Sequence, residues 1–119
     1  MIKLGKLYNQ FQQDYGQAVS LDYDFIVKSL FSDIFKKTAN GVELVNNAQN
    51  LLSQLSEVKK SAGLWTIDVI DMIPSLCNHK LTISYILNSE KLGKFGIIAI
   101  LNSEDGEKID QINEVYYQF

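Results

Sequence analysis

Residues 95–119 have the sequence FGIIAILNSEDGEKIDQINEVYYQF. The nearly continuous apolar run over residues 95–101 predicts a β-strand that is covered on both faces. Asp105-Gly106 predicts a tight hairpin turn. The residues after it predict a last strand over 109–119, with Ile112, Glu114, Tyr116 and Gln118 on one face and Asn113, Val115, Tyr117 and Phe119 on the other.

Two further strands are predicted upstream of this hairpin. Residues 65–69 alternate between apolar and polar side chains, and residues 81–87 do so as well. Strict alternation of this kind is typical of a half-buried strand. The second half of the chain therefore predicts about four antiparallel strands.

The first half predicts three helices, because its apolar residues recur at intervals of three and four. The first ends at Gly16, and Ser20 or Asp22 caps the second, which continues through Phe31, Ile34 and Phe35. Asn40-Gly41 is a stop or turn signal. The third helix follows it with apolar residues from Leu44 to Val58, cations in its last turn and Gly63 at its end. Segregated helices and strands predict an α+β domain over residues 1–119.

Composition excludes several classes of function. The 119 residues carry a net charge of −3 and include 11 lysines but no arginine. Because the lysines form no basic stripe, we expect no nucleic-acid partner. Cys77 and His79 are the only residues of their types, so no internal disulfide, no cysteine metal cluster and no two-histidine metal site can form. We expect no metal, and without a glycine-rich phosphate loop we expect no cofactor.

The sequence also predicts a cytoplasmic location. The first 11 residues are interrupted by Lys3, Lys6, Asn9 and Gln10 and lack the apolar run of a signal peptide. No window approaches the roughly 18 apolar residues of a membrane-spanning helix. We therefore expect no membrane partner.

The order and spacing of these elements resemble the nuclear transport factor 2-like superfamily, and especially its SnoaL-like branch. The matching stretches are residues 30–33, Asn40-Gly41, Asp105-Gly106, Lys108-Ile109 and residues 112–117. The resemblance implies a cone-shaped, cystatin-like α+β barrel in which a strongly curved antiparallel sheet wraps around the helices and leaves a pocket. It also implies a homodimer formed through the outer sheet face, which suits strands that are apolar on both faces.

Enzymes similar to this family commonly use a pocket carboxylate or histidine as a base. Residues 36–40 contain neither group, which speaks against a base in that segment. Asp33 is one remaining candidate, if its helix faces the sheet; the alternative is a solvated or capping residue. Glu114 is the other, and it enters the pocket only if its strand face is concave; on a convex face it lies at the surface or in a dimer interface.

Four aromatic residues are candidates for ligand contact. Tyrosine and tryptophan offer an apolar ring with one polar group, which suits a pocket that orients its ligand by a few hydrogen bonds. The candidates are Tyr15, Trp65, Tyr85 and Tyr116. The alternative for each is an ordinary place in the core or an interface. For Cys77 we expect an inert thiol, because no sequence neighbour lowers its pKa.

Three functions stay open at this point. The first is the binding of a small apolar or amphipathic ligand. The second is a protein-interaction or dimerisation module, which includes a toxin-neutralising immunity protein whose acidic charge attracts a basic partner. The third is an isomerase, cyclase or dehydratase that uses a pocket carboxylate. A fold alone does not decide among them.

Overall fold

The computed structural model describes all 119 residues of the chain. It contains three α-helices: α1 (Ile2–Gly16), α2 (Tyr23–Leu30) and α3 (Leu51–Ala62). Its six strands are β1 (Phe31–Ala39), β2 (Val42–Val45), β3 (Trp65–Pro74), β4 (Lys80–Ser89), β5 (Gly93–Asn102) and β6 (Ile109–Gln118). One turn of 3-10 helix, Ala48–Asn50, leads into α3.

All six strands belong to one sheet with the order β2-β1-β6-β5-β4-β3. β1 pairs with β6 in parallel, and the other four pairs are antiparallel. The sheet curves around the helices but stays open, because β2 and β3 are edge strands. The predicted α+β class is confirmed, while the β1–β6 pair adds a parallel element to the antiparallel sheet that was expected.

Several of the predicted helix boundaries are confirmed. The Asp22 carboxylate caps α2 by accepting a hydrogen bond from the Phe25 amide at 3.1 Å. α3 has Lys59 and Lys60 in its last turn, where cations favour the negative end of the helix dipole. Gly63 follows with a φ of 70°, a conformation that glycine adopts without steric cost.

The prediction that the second helix continues through Phe31, Ile34 and Phe35 was wrong, because these residues begin strand β1. Phe31 and Phe35 are both buried, and an interval of four places two residues on one face of a helix and also on one face of a strand. The pairing of β1 with β6 shifts register between Phe31 and Lys36, so this strand does not alternate regularly. The irregularity leaves Asp33 exposed between the two buried rings, and the sequence therefore lacks the alternation typical of a strand.

Asn40-Gly41 is a hairpin turn between β1 and β2, not the start of the third helix. Both residues have positive φ, 49° and 79°, which is the conformation of a two-residue type I′ turn. Leu44 and Val45, expected in the helix, therefore lie in β2, and α3 begins at Leu51.

The β5–β6 connection is longer than the tight turn that was expected. It runs over residues 103–108, and the Asp105 carboxylate accepts hydrogen bonds from the Glu107 and Lys108 amides. The buried Ser103 hydroxyl donates to the Lys108 carbonyl at 2.6 Å. Side chains thus hold the loop that aligns β6 with β5.

A hydrophobic core fills the space between the helices and the concave face of the sheet. Leu81, Ile83 and Tyr85 of β4 are almost completely buried, and Leu4, Tyr8 and Phe11 of α1 pack in the same cluster. Burying each such side chain stabilises the fold by about 1.5–3 kcal/mol. None of the helices has both the length and the apolar character needed to cross a membrane.

Candidate cavity between α3 and the sheet

A cavity of about 280 Å³ lies between α3 and the concave face of the sheet. Twelve of its 16 lining residues are hydrophobic, and they come from α3 and every strand of the sheet. The lining comprises Gln12, Lys37, Ala39, Leu44, Gln54, Leu55, Val58, Ala62, Trp65, Tyr85, Leu87, Leu92, Phe95, Ile97, Glu114 and Tyr116. An apolar cavity with a few polar groups is the usual form of a small-molecule site.

Trp65 forms part of this wall because α1 passes very close to it. The backbone of Gly16 lies against the indole ring, so that a Cβ atom at this position would fall 2.3 Å from Nε1. The Trp65 indole N–H donates a hydrogen bond to the Gln12 carbonyl at 3.1 Å. The close approach and the hydrogen bond together fix the ring against the cavity.

Gln12 and Tyr85 form a buried polar group in the cavity wall. The Tyr85 hydroxyl donates to Gln12 Oε1 at 3.4 Å, while Gln12 Nε2 is buried and has no hydrogen-bond partner. Burial raises the pKa of Tyr85 well above its usual range, and the negative charge of Glu114 adds to this effect. The phenol therefore stays protonated at neutral pH, with its hydrogen directed to Gln12 Oε1.

Lys37 is a cavity residue that sequence analysis missed. Its side chain is only 5% exposed, and its Nζ donates to Gln54 Oε1 of α3 at 3.3 Å. The one ion pair of the chain joins Lys60 to Glu57, so no carboxylate lies within 4.0 Å of the Lys37 ammonium. A signal was present in the sequence: in a strand, Lys37 shares its face with the apolar residues Phe35 and Ala39.

Glu114 lies on the concave face of the sheet, which is the predicted alternative that places it in the pocket. Its strand β6 is held by the Asn40 side chain, which donates to the Tyr116 carbonyl at 3.2 Å and accepts from the Tyr116 amide at 2.9 Å. The backbone N–H of Asn40 also donates a hydrogen bond to the Glu114 carbonyl at 2.9 Å. This clamp sets the half-buried Glu114 carboxylate, the only carboxylate that lines the cavity, beside Ala39.

Three of the four predicted aromatic residues line the cavity. Trp65 and Tyr85 are buried in its wall, while Tyr116 is partly exposed. The Tyr116 ring meets Phe95, another lining residue, in an edge-to-face arrangement with centroids 6.2 Å apart. All three therefore border the cavity, and their contact with a ligand stays a prediction.

Asp33 and Tyr15 lie outside the cavity. Asp33 is exposed on β1, within the stretch where the pairing with β6 shifts register between Phe31 and Lys36. Tyr15 packs against Tyr23 and Trp65, and the Lys59 ammonium lies 4.8 Å from its ring centroid. Neither residue joins Glu114 in the cavity wall, so the geometry gives no support to a catalytic Asp33 or a ligand-binding Tyr15.

No three histidine, cysteine, aspartate or glutamate side chains converge to form a metal site. His79 lies in the β3–β4 connection, where its Nδ1 is 3.2 Å from the Ser103 carbonyl oxygen. Cys77 lies in the same connection and is exposed. Both residues are remote from the cavity lining.

Solved structures show what this chain is similar to. A proposed polyketide cyclase from Sinorhizobium meliloti superposes with a TM-score of 0.75 at 12% identity, over 94% of this chain and 93% of the other. A proposed SnoaL-like polyketide cyclase from a Jannaschia species gives 0.73 at 5% identity, over 97% of this chain and 85% of the other. A nuclear transport factor 2-like protein of unknown function from an Exiguobacterium species gives 0.71 at 18% identity, over 92% and 98%.

The chain is an α+β protein with a curved, open sheet and a cavity under α3. It has the nuclear transport factor 2-like fold. No protein-family model matches the sequence, and no curated protein matches it. Because one fold of this kind carries many functions, the function has to be argued from the cavity itself.

Proposed function

We propose that this protein binds a small, mainly apolar molecule in the cavity between α3 and the sheet. The observation that carries the proposal is a 280 Å³ apolar cavity into which a few buried polar groups converge. Lys37, Gln12 and Glu114 supply those polar groups from three different elements. Polar groups spaced around an apolar cavity can orient a ligand, while the apolar lining supplies the favourable burial.

A second candidate is an isomerase, cyclase or dehydratase that uses Glu114. The observation that favours it is the position of this carboxylate in the cavity wall, together with a protonated Tyr85 hydroxyl nearby. A carboxylate base and a neutral hydrogen-bond donor are the groups needed to move a proton next to a carbonyl. Glu114→Gln separates the two candidates, because loss of turnover with retained binding would support the enzyme.

We also propose that the protein acts in the cytoplasm. The exposed, unpaired Cys77 suits a reducing compartment, since free surface thiols are readily oxidised elsewhere. Fractionation of the native host, with detection of the protein in each fraction, tests this assignment.

Native mass spectrometry of protein purified gently from its own host tests the ligand proposal. A defined added mass on the wild-type chain is the expected result, and that mass identifies the ligand's composition. A spectrum without any adduct would contradict the proposal and favour the protein-interaction module. A pull-down from the same host would then identify the partner.

The cavity assignment is tested by Ala39→Leu. Ala39 is 6% exposed and lines the cavity, so leucine replaces a methyl group by an isobutyl group in the ligand's space. We expect the fraction of protein that carries the ligand to fall at least about tenfold. Filling existing space should lower the free energy of unfolding by no more than about 1–3 kcal/mol. The matched control is Thr38→Leu on the same strand, whose side chain points to the outer face. Equal ligand loading in Ala39→Leu and wild type would show that the ligand binds elsewhere.

A further inference from the structure

Lys37 is a buried cation without an anion beside it. Its side chain is 5% exposed on the concave side of β1, and its nearest hydrogen-bond acceptor is the neutral Gln54 amide. Burying a charge is costly unless it is paired with an opposite charge. The ammonium also has three donors, and the protein supplies one acceptor. The site is therefore incomplete without an acceptor from outside the chain.

Gln12 provides a second, independent indication of a missing acceptor. The residue is 6% exposed, and it lines the same cavity as Lys37. The Tyr85 hydroxyl donates a hydrogen bond to Gln12 Oε1. The other polar atom of this amide, the buried donor Nε2, has no hydrogen-bond partner. Two buried donors on α1 and β1 thus face a space whose remaining walls are mostly apolar.

Glu114 does not complete the Lys37 site. The two side chains form no ion pair, and Glu114 is half-buried and partly hydrated, whereas Lys37 is almost fully enclosed. The charge of Glu114 acts instead on Tyr8 and Tyr85, whose pKa values are raised first by burial and further by this carboxylate. The positive charge of the cavity, the enclosed Lys37 ammonium, therefore lies beside Gln54 of α3.

Resting on the proposed small-molecule function, we propose that the ligand is a small apolar monocarboxylic acid whose carboxylate binds Lys37. One ammonium neutralises one negative charge, so a carboxylate fits where a phosphate dianion would leave a buried charge uncompensated. The 280 Å³ cavity corresponds to roughly nine water-sized groups at about 30 Å³ each, so an acid of roughly ten non-hydrogen atoms fits it.

Octanoate, 1-octanol and octylamine test this inference, because they share one alkyl chain and differ in their head group. Trp65 is the only tryptophan and lines the cavity, so its fluorescence reports binding without a label. We expect wild-type protein to bind octanoate at least about tenfold more tightly than octanol, as a charge-assisted hydrogen bond supplies that difference. Octylamine should bind most weakly.

Lys37→Met and Lys36→Met form a matched pair of variants. Both remove one positive charge from β1, but Lys36 is exposed and Lys37 is buried in the cavity wall. Lys37→Met should lose the preference for octanoate over octanol and keep its affinity for octanol. Lys36→Met should keep the preference. An unchanged octanoate preference in Lys37→Met would overturn the inference.

The wild-type ranking tests the inference even if Lys37→Met does not fold. Octanol that binds as tightly as octanoate, or octylamine that binds best, would overturn the assignment of an acid while leaving ligand binding in the cavity intact. Failure of all three probes to bind would contradict the proposed function itself, and the inference would fall with it.

Discussion

Cys77 and Ser75 make a contact in the β3–β4 connection that changes the chemistry expected of the thiol. The Ser75 Oγ atom lies 3.2 Å from Cys77 Sγ. Hydrogen bonding from Ser75 lowers the pKa of Cys77, and the backbone at His79 lowers it further. The sequence analysis found no neighbour that lowers this pKa, and that premise was wrong, because the Ser75 hydroxyl lies two residues away.

The lowered pKa predicts a reactive thiol, since a larger fraction of Cys77 is thiolate at neutral pH. Ser75→Ala should shift the pH profile of iodoacetamide alkylation to higher pH and slow the reaction at pH 7 by roughly two- to fivefold. Mass spectrometry of the alkylated chain over a pH series measures this. In urea the two proteins should react alike, and coincident profiles for the folded proteins would disprove the role of Ser75.

The residues of the cavity could be predicted where the sequence periodicity was regular. Glu114 and Tyr116 share a face of β6 with the buried Ile112, and both line the cavity. Lys37 was missed because the start of its strand was interpreted as a helix, and because residues 36–40 were searched only for a carboxylate or a histidine. Gln12 was missed because only apolar residues were counted in the stripe of α1, although it lies four residues after Tyr8 on the same buried face.

The β1–β2 hairpin owes its orientation to one turn residue. Asn40 makes two side-chain hydrogen bonds to the backbone of Tyr116 and has a φ of 49°. Asn40→Gly keeps the turn but removes these bonds, and should lower the free energy of unfolding by about 1–3 kcal/mol. Asn40→Ala should cost a further 1–2 kcal/mol or so, because alanine is strained at positive φ.

Urea unfolding of both Asn40 variants, followed by circular dichroism, checks this ranking. The difference between alanine and glycine isolates the backbone strain from the lost hydrogen bonds. A glycine variant as stable as wild type would mean that the clamp on β6 contributes nothing to stability.

Most elements were predictable because their apolar periodicity agrees with their structure. The four expected strands fall on β3 to β6, and the apolar residues at helical intervals fall mainly on α1 and α3. β1 was mistaken for helix because its register shift leaves Asp33 exposed between the buried Phe31 and Phe35, which removes the alternation of a strand. That irregularity is set by the partner strand β6, more than 70 residues away along the chain, and no local pattern can reveal it.

The outer face of the sheet presents an apolar strip to solvent. Ile98 is 45% and Val115 is 55% exposed, and the two residues are directly paired across β5 and β6. Tyr117 and Ile100 extend the strip along the same strands. The strip itself carries no charge. A second copy of the chain can therefore cover it without burying a charged group, even though each copy has a net charge of −3. We therefore propose a homodimer formed through this face.

Light scattering during size-exclusion chromatography tests the dimer. Wild-type protein should have twice the 13.5 kDa chain mass. Ile98→Asp should convert it to monomer, because the variant places a charge in the apolar strip. Leu76→Asp is the matched control, since Leu76 is fully exposed in the β3–β4 connection and away from the strip. A wild-type monomer, or an Ile98→Asp dimer, would contradict the proposal.

The position of β6 has a consequence for how the molecule is made. This strand is the last of the six along the chain, yet it lies between β1 and β5 in the sheet. While the ribosome synthesises the chain, β1 and β2 can form only an isolated hairpin, which is marginal in water. The two parts of the sheet join, and the cavity gains Glu114 and Tyr116, only after β6 has emerged. Until then the flanking apolar strands have open edges, and a stalled nascent chain is the form most exposed to aggregation.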